Sequence, residues 1–275
     1  MLSIYLRIGK NREVRSMKTE IATDFYIVAY EAGAEHPSLP TWANRSENPL
    51  ALSSHLPQEL LRRKEIDAVP GAFQIDNVLT AAECQKLIDL SETLGYLPDA
   101  AVSLPRTIRH NDNLVWVTDT QTDAIIWQRV ANLANQQPEL YFQKRALGLN
   151  ARFRFYRYSQ GDYFKPHTDG AWPGSRVIDG NLVANAYSDR YSLMTFLIFL
   201  NDNFSGGATR FLVPKAASGK VTATREAAEV VDVRLPQGTV LCFPHGPHPL
   251  HCVHSSEPVL QGVKYIIRTD MLFEL

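Results

Sequence analysis

The chain has 275 residues, of which 45% are hydrophobic and 21% are charged, and its formal net charge at pH 7 is −1. This is the composition of a globular protein and excludes a disordered chain. The balanced charge argues against a protein that binds nucleic acid mainly through phosphate contacts, because such binding needs a basic face.

The cysteines and the apolar runs bear on the cellular location of the protein. Three scattered cysteines are too few for a disulfide framework, which favours a reducing, cytoplasmic location. The longest apolar run, residues 193–200, is far shorter than the ~20 residues of a membrane-spanning helix, so we expect no membrane partner. Residues 1–16 carry several arginines and a single acid, which leaves a transit peptide as the alternative.

The N-terminal quarter is predicted to differ from the rest of the chain. Residues 1–68 are interpreted as a loop-rich wrapping segment, because the stretch from about 30 onward is rich in Pro, Ser and Asn without a sustained period. Residues 69–275 are interpreted as one domain. It begins with a short strand predicted within residues 72–79.

Two helices are predicted next. Thr80 and Glu83 have the spacing of a capping box, and the helix that follows is expected to end at Gly95. Apolar periodicity predicts a second helix from Asp123 to about Gln136.

From Leu149 onward the pattern is one of short strands separated by Gly, Pro or Asn. Phe153 and Phe155 alternate with arginines, which is typical of a half-buried strand. Residues 190–202 form a nearly continuous apolar run, which predicts a strand buried on both faces. The predicted fold is α+β and mainly β: a double-stranded β-helix, or jelly roll, braced by N-terminal helices.

The sequence His167-Thr168-Asp169 is the first chemical signal. On a strand, residues two apart point to the same side, so His167 and Asp169 are candidates to bind one metal ion. A second histidine would complete a facial triad, which leaves positions open on Fe(II) for a chelating cosubstrate and O₂. Taken alone, the pair is more typical of a surface ion pair than of a metal site.

Four histidines near the C-terminus are candidates for the third ligand. They recur every three residues, but prolines argue against a helix, and their spacing does not choose among them. A polar turn and a separate metal site with Cys252 are alternatives. The four candidates are His245, His248, His251 and His254.

Two cations lie in the apolar strand near the C-terminus. Lys264 and Arg268 are expected on the same side as Ile266, and a buried lysine is costly unless it is paired. One interpretation is internal salt bridging, with Asp270 as the partner of Arg268. The other is an anchor for the carboxylate of a ligand.

The order of these motifs resembles the prolyl 4-hydroxylase-like branch of the Fe(II)/2-oxoglutarate-dependent dioxygenases. The resemblance extends from Val69 to Leu275 and is clear from Phe153 onward. His254 lies four residues before a Pro-Val pair and ten before Lys264, as in the family, which selects it over its three neighbours. Other positions also match the family pattern: Tyr158, Gly161, Pro166, Leu200-Asn201-Asp202 and Gly206-Gly207-Ala208-Thr209.

The resemblance implies a role for each of these residues. Fe(II) would be bound by His167, Asp169 and His254. Lys264 would pair with the distal carboxylate of 2-oxoglutarate, with Arg268 as the alternative cation. Tyr158 and Thr195 would hydrogen bond the same carboxylate.

The implied reaction is the hydroxylation of an unactivated C–H bond, with O₂ as oxidant and release of succinate and CO₂. The substrate is expected to be an amino acid, a small metabolite or a peptidyl residue, and ascorbate is a candidate accessory cofactor. A carboxylate at Asp169 favours hydroxylation, because related halogenases lack that ligand. Nucleic acid is not expected as a partner.

Some features depart from the family pattern or bear on the substrate. Phe164 stands where the family often has tyrosine, and residues 218–229 form an insertion interpreted as a surface loop. Trp172 is a candidate wall of the site, with an exposed or core-packed tryptophan as the alternative. Polar residues of the 104–113 stretch are candidates for its entrance, with a solvated loop as the alternative: Arg106, Arg109, Asn111 and Asn113.

Two other functions remain open at the level of sequence. One is a metal-binding, cupin-like jelly roll without oxygenase activity, which would keep the histidines but would not need Lys264. The other is a scaffold that binds a partner through the N-terminal segment.

Overall fold

The computed structural model describes residues 23–56, 58–101, 104–215 and 228–275. Within these ranges the chain forms two α-helices, α1 (Ala81–Leu94) and α2 (Thr120–Ala134), and two short 3₁₀ helices, Gln58–Leu60 and Pro138–Tyr141. The strands of the first half are β1 (Phe25–Glu31), β2 (Leu39–Asn44), β3 (Arg62–Glu65), β4 (Phe73–Asp76), β5 (Arg109–His110), β6 (Asp112–Val117) and β7 (Ala146–Leu149). Those of the second half are β8 (Arg152–Tyr158), β9 (Tyr163–His167), β10 (Arg176–Ile178), β11 (Asn181–Val183), β12 (Arg190–Phe199), β13 (Ser205–Gly206), β14 (Thr209–Pro214), β15 (Ala228–Val233), β16 (Val240–Pro244), β17 (Val253–Ser256), β18 (Val259–Gln261) and β19 (Lys264–Glu274).

The core is the predicted jelly roll. A ten-stranded sheet has the order β1-β2-β6-β8-β19-β12-β16-β4-β3, with β7 paired to β19, and a five-stranded sheet has the order β15-β14-β17-β9-β5. The chain moves between the two sheets, since β8, β12, β16 and β19 lie in the larger one and β9, β14, β15 and β17 in the smaller. The prediction of a mainly β, double-stranded β-helix is therefore confirmed.

Apolar residues fill both faces of the larger sheet. On one face Phe153, Phe155 and Phe196 pack with residues of both helices. On the other face Tyr156, Leu197 and their neighbours pack against residues of the five-stranded sheet. The strand predicted to be buried on both faces, β12, is buried in this way.

The strand β8 differs from its prediction. Phe153 and Phe155 do face the helices, but the opposite side is also covered, and Arg152 and Arg154 are only 8% and 7% exposed. The strand is therefore buried on both sides instead of half-buried. The alternation shows which residues share a face, but it does not show whether a second sheet covers that face.

Helix α1 begins and ends where the sequence predicts. The Thr80 hydroxyl accepts a hydrogen bond from the Glu83 amide, the Glu83 carboxylate accepts one from the Thr80 amide, and Gly95 is the C-cap. Helix α2 begins three residues earlier than predicted. Its N-cap is Asp119, whose carboxylate accepts hydrogen bonds from two backbone amides in the first turn.

The segment predicted to be loop-rich contributes strands to the larger sheet. β1 pairs with β2, β2 pairs in parallel with β6, and β3 pairs with β4. The division at residues 68 and 69 stays a prediction. The candidate transit peptide lies outside the described residues, as does the insertion except for its last two residues, which open β15.

No helix in the described ranges is long and apolar enough to cross a membrane. The three cysteines are free thiols, with Cys84 and Cys242 buried.

Candidate active site

Two histidines face each other across neighbouring strands of the five-stranded sheet. His167 is the last residue of β9, and in the antiparallel pairing of β9 with β17 its partner is His254. The two imidazole centroids are 4.3 Å apart. Directly opposed residues of an antiparallel pair have neighbouring side chains, so strand register brings together residues 87 positions apart in the sequence.

Asp169, two residues beyond the end of β9, completes the group. One ligand atom from each of His167, Asp169 and His254 lies within 4.8 Å of the others. The His167 Nε2 atom is 3.8 Å from Asp169 Oδ1, and the His254 Nε2 atom is 3.7 Å from Asp169 Oδ2. The structure thus brings together the three predicted metal ligands.

Hydrogen bonds fix the tautomers of both imidazoles. His167 Nδ1 lies 2.8 Å from the Lys165 carbonyl, and His254 Nδ1 lies 3.2 Å from the Cys252 carbonyl. A carbonyl only accepts, so each Nδ1 carries the proton and donates. Each Nε2 lone pair is then free and faces Asp169, which is the usual orientation of metal-binding histidines.

The protonation states also suit a cation. Burial lowers the pKa of His167 to about 3, and it likewise lowers the pKa of His254. Burial alone would raise the pKa of Asp169, but the positive charge of Arg268 outweighs it and holds that pKa well below its usual range. At neutral pH the group therefore consists of two neutral imidazoles and one carboxylate, which are the forms that bind metals.

Asp169 is oriented by side chains of the larger sheet. Its Oδ2 atom accepts a hydrogen bond of 2.6 Å from the Thr195 hydroxyl and lies 3.2 Å from Arg268 Nε. The Thr195 hydroxyl also lies 2.9 Å from Nδ1 of the buried His245. Thr195 was predicted to bind a cosubstrate carboxylate. That role stays a prediction, while the observed contact orients Asp169.

The other three candidate histidines have different partners. His245 lies between the hydroxyls of Thr195 and Ser192, its Nε2 atom 2.9 Å from the latter. His248 Nε2 lies 2.6 Å from the Leu140 carbonyl oxygen, and His251 Nδ1 lies 2.9 Å from the His248 carbonyl oxygen. Proximity to Asp169 therefore selects His254 for the group.

Lys264 lines the same cavity as the histidines, which has a volume of about 400 Å³. Its side chain is fully buried, and its ammonium donates to the Gly207 carbonyl at 2.8 Å and to the Ser256 hydroxyl at 3.0 Å. No acidic side chain in the described parts of the chain lies within ion-pair distance of it. Burial lowers the pKa of Lys264 to about 7, and the charge of Arg234 contributes to a smaller degree.

The Gly-Gly motif makes room for this lysine. Gly206 and Gly207 both have positive φ angles, 74° and 59°. A Cβ atom on Gly206 would lie 2.4 Å from the Pro258 carbonyl oxygen, and one on Gly207 would lie 3.3 Å from Lys264 Cδ. The turn can therefore approach β18 and the lysine only when it lacks side chains.

The two predicted cations differ in their surroundings. Arg268 lines the same cavity as Lys264, but it is paired with Asp169 and Asp270. The predicted salt bridge between Arg268 and Asp270 is thus present, at 3.0 Å. Tyr158 is opposite Lys264 in the pairing of β8 with β19, and its ring centroid lies 5.1 Å from the ammonium.

The residues expected at the entrance lie in different places. Trp172 and Arg109 line the cavity of the histidines and also an adjoining one, which Asn113 lines as well. Asn111 is buried and accepts a hydrogen bond from Arg109. Arg106 lines neither cavity and lies 3.9 Å from Asp112.

The donor set fits Fe(II). Two neutral imidazole nitrogens and one carboxylate oxygen within 4.8 Å of one another are the donor set of the facial triad of non-haem iron oxygenases. The buried ammonium of Lys264 in the same cavity fits a carboxylate of 2-oxoglutarate, because that charge has no acidic partner in the described ranges.

Comparison with known proteins gives one family and several distant structures. Residues 153–269 match the model of the 2OG-Fe(II) oxygenase superfamily. No curated protein matches the chain at a significant level.

The solved structures include a prolyl-4-hydroxylase from Pseudomonas putida, which is 18% identical with a TM-score of 0.44, over 73% of this chain and 91% of that one. A prolyl hydroxylase from Trichoplax adhaerens, in complex with a hypoxia inducible factor peptide fragment, is 17% identical with a TM-score of 0.49, over 73% and 83%. HygX from Streptomyces hygroscopicus, with nickel and 2-oxoglutarate bound, is 15% identical with a TM-score of 0.40, over 76% and 84%. At these TM-scores the likeness gives no information about the substrate of this chain.

The matched segment contains the whole group described above, from Tyr158 to Arg268. This segment is therefore similar to the 2OG-Fe(II) oxygenase superfamily, in agreement with the sequence motifs.

Proposed function

We propose that this protein hydroxylates an unactivated C–H bond of an amino acid, a small metabolite or a peptidyl residue. One oxygen atom of O₂ enters the substrate, while 2-oxoglutarate takes the other and leaves as succinate and CO₂. The single observation that carries the proposal is one cavity with two features: a converged His-Asp-His group and a buried lysine without an acidic partner in the described ranges.

His167, Asp169 and His254 would hold the iron. Their free Nε2 atoms and ionised carboxylate need no proton loss near neutral pH. Bound Fe(II) would supply the chemistry that couples decarboxylation of 2-oxoglutarate to oxidation of the substrate. Thr195 would keep the Asp169 carboxylate oriented by donating its hydroxyl hydrogen.

Lys264 would bind the distal carboxylate of 2-oxoglutarate through a charge-assisted hydrogen bond. Burial raises the pKa of Tyr158 well above its usual range, so its hydroxyl stays protonated and can donate to the same carboxylate. The apolar side chains of Leu197, Phe243 and Ile266 line the cavity and exclude water around the reacting groups.

Anaerobic titration with Fe(II) and 2-oxoglutarate tests the proposal. A weak visible charge-transfer band is expected only when both are present, and admission of O₂ should yield succinate. His254→Ala should abolish the band and reduce succinate formation to background. His251→Ala, which removes a neighbouring imidazole outside the group, is the matched control and should retain both.

A cupin-like metal protein without oxygenase activity would give a different result in the same titration. It would bind the metal through the same histidines, but 2-oxoglutarate would produce no band and O₂ would produce no succinate. That result would reject the proposed function.

A further inference from the structure

A second cavity, of about 290 Å³, adjoins the candidate active site. The two share the side chains of Arg109, Tyr156 and Trp172. Its other charged lining residues are Glu31, Arg152 and Arg154, and we call it the arginine cavity. The three arginines are only 6%, 8% and 7% exposed, so bulk water cannot fully solvate their charges.

The acidic side chains nearby neutralise Arg152 but do not fully neutralise the other two arginines. Glu31 pairs with Arg152. Asp270 is shared, because its Oδ1 atom accepts a 3.0 Å hydrogen bond from Arg268 while its Oδ2 atom lies 3.5 Å from Arg154 Nη1. That Nη1 atom is buried and has no hydrogen-bond partner in the described part of the chain.

Arg109 has neutral partners. Its Nε atom donates to Asn111 Oδ1 at 3.1 Å and its Nη2 atom donates to Asn113 Oδ1. Among the described residues no acidic side chain forms an ion pair with it. One guanidinium is therefore without an acid and a second shares its acid, which leaves excess positive charge in the wall of the cavity.

Aromatic rings pack on both guanidinium groups. The Arg109 guanidinium carbon lies 4.4 Å from the Tyr156 ring centroid, and that of Arg154 lies 5.6 Å from the Trp172 ring. Such packing restricts the planar groups, so less entropy is lost when they bind a ligand. Because Tyr156 and Trp172 also line the first cavity, a molecule held here lies beside the candidate iron ligands.

We propose, on the basis of the hydroxylase function above, that the primary substrate is a small organic anion whose carboxylate, or an equivalent oxyanion group, binds Arg109 and Arg154 in the arginine cavity. A carboxylate would supply the hydrogen-bond partner that Arg154 Nη1 lacks and the negative charge that Arg109 lacks. The volume lies near the lower end of the range of ligand cavities, about 300–1,000 Å³, which suits a small molecule.

Calorimetric titration of the full chain, loaded with Mn(II) and saturating 2-oxoglutarate, tests this inference. Benzoate is the probe, and benzamide is its neutral isostere. Because the metal and Lys264 are then occupied, benzoate reports on the remaining cations. We expect benzoate to bind about tenfold or more tightly than benzamide.

Variants identify the residues. Arg109→Met and Arg154→Met should each weaken benzoate binding by about tenfold while leaving the affinity for 2-oxoglutarate within about twofold. The matched control is Arg157→Met, at a position on the same strand as Arg154. The Arg157 guanidinium pairs with Glu92 and Asp112. This control variant should leave benzoate affinity unchanged.

Equal affinity for benzoate and benzamide would overturn the inference, and this comparison needs no variant to fold. Competition between benzoate and 2-oxoglutarate would overturn it too, because the cations would then serve the cosubstrate. If the unaltered protein binds neither Fe(II) nor 2-oxoglutarate, the proposed function itself is rejected.

Succinate assays then compare free carboxylic acids with peptides that carry one acidic residue as substrates. Turnover with the peptides alone would contradict a small-molecule substrate.

Discussion

At the scale of single residues, the cavity combines side chains whose pKa values differ from those of exposed groups. Burial keeps His167 and His254 neutral, and the charge of Arg268 keeps Asp169 ionised. Lys264 differs from them, because with a pKa of about 7 its charge changes within the physiological pH range. The lysine therefore gives the cavity a testable pH response.

The dissociation constant for 2-oxoglutarate should rise with pH above about 7. Below that pH the lysine is already protonated and can pair with the carboxylate. Above it, binding requires proton uptake, and the affinity falls by up to about tenfold per pH unit. The pKa of His167, about 3, lies outside this window. Anaerobic titration of the charge-transfer band between about pH 6 and pH 9 measures the effect.

Lys264→Met should bind 2-oxoglutarate more weakly and without this pH dependence, while iron affinity changes little. A flat dissociation constant for the unaltered protein over the same range would contradict the assignment. Stronger weakening by Arg268→Ala than by Lys264→Met would show that the anchoring cation is the arginine.

Some of these residues are predictable from the sequence and others are not. The interval between His254 and Lys264 matches a family pattern, so both were predictable as a pair. The charge excess at Arg109 and Arg154 was not, because it depends on which acids the fold places beside them. Ser256 also gave no signal, because its hydrogen bond to Lys264 joins strands of different sheets, and one serine in a strand does not predict such a contact.

At the scale of secondary-structure elements, one buried ion pair joins the helices. Arg129 of α2 donates to both carboxylate oxygens of Glu83, the capping residue of α1, at 2.7 and 3.1 Å. It also donates to the carbonyls of Val78 and Ser53. The capping box was predictable from the spacing of Thr80 and Glu83, but the arginine was not, because it lies 46 positions away from Glu83.

Arg129→Met should destabilise the protein by about 3–5 kcal/mol, because it leaves the Glu83 carboxylate buried without its cation. Urea unfolding measures the loss. The double variant Glu83→Gln with Arg129→Met should be more stable than Arg129→Met alone, since it removes the unpaired charge. If the single and double variants unfold at the same urea concentration, the ion pair is not the origin of the effect.

At the scale of the whole molecule, the jelly roll was predictable because short strands and turn residues are local signals. The participation of residues before 69 in the larger sheet was not. Pro-rich and Ser-rich composition indicates loops, whereas β2 is fixed by its parallel pairing with β6, a contact distant in sequence. Phe25 of β1 also packs on Trp116 of β6, with ring centroids 5.4 Å apart.

Deletion of residues 1–44 should therefore lower the melting temperature and promote association. It removes β1 and β2, leaves β6 as an exposed edge strand, and takes away Glu31, the partner of Arg152. Thermal unfolding and size-exclusion chromatography of the shortened and full chains measure both effects. Equal melting temperatures would show that the segment is a separable wrapping, as its composition suggests.

The two facing sheets carry different parts of the chemistry. The histidines lie on β9 and β17 of the smaller sheet, whereas Arg152, Arg154 and Tyr156 lie on β8 of the larger one. Under the proposed function, changes at Arg152 and Arg154 would alter which compound is oxidised without displacing the histidines that would hold the iron. Such separation would let selectivity diversify by substitution at a few sites, and it makes positions 152, 154 and 172 the natural choice for a randomised library in search of new biocatalysts.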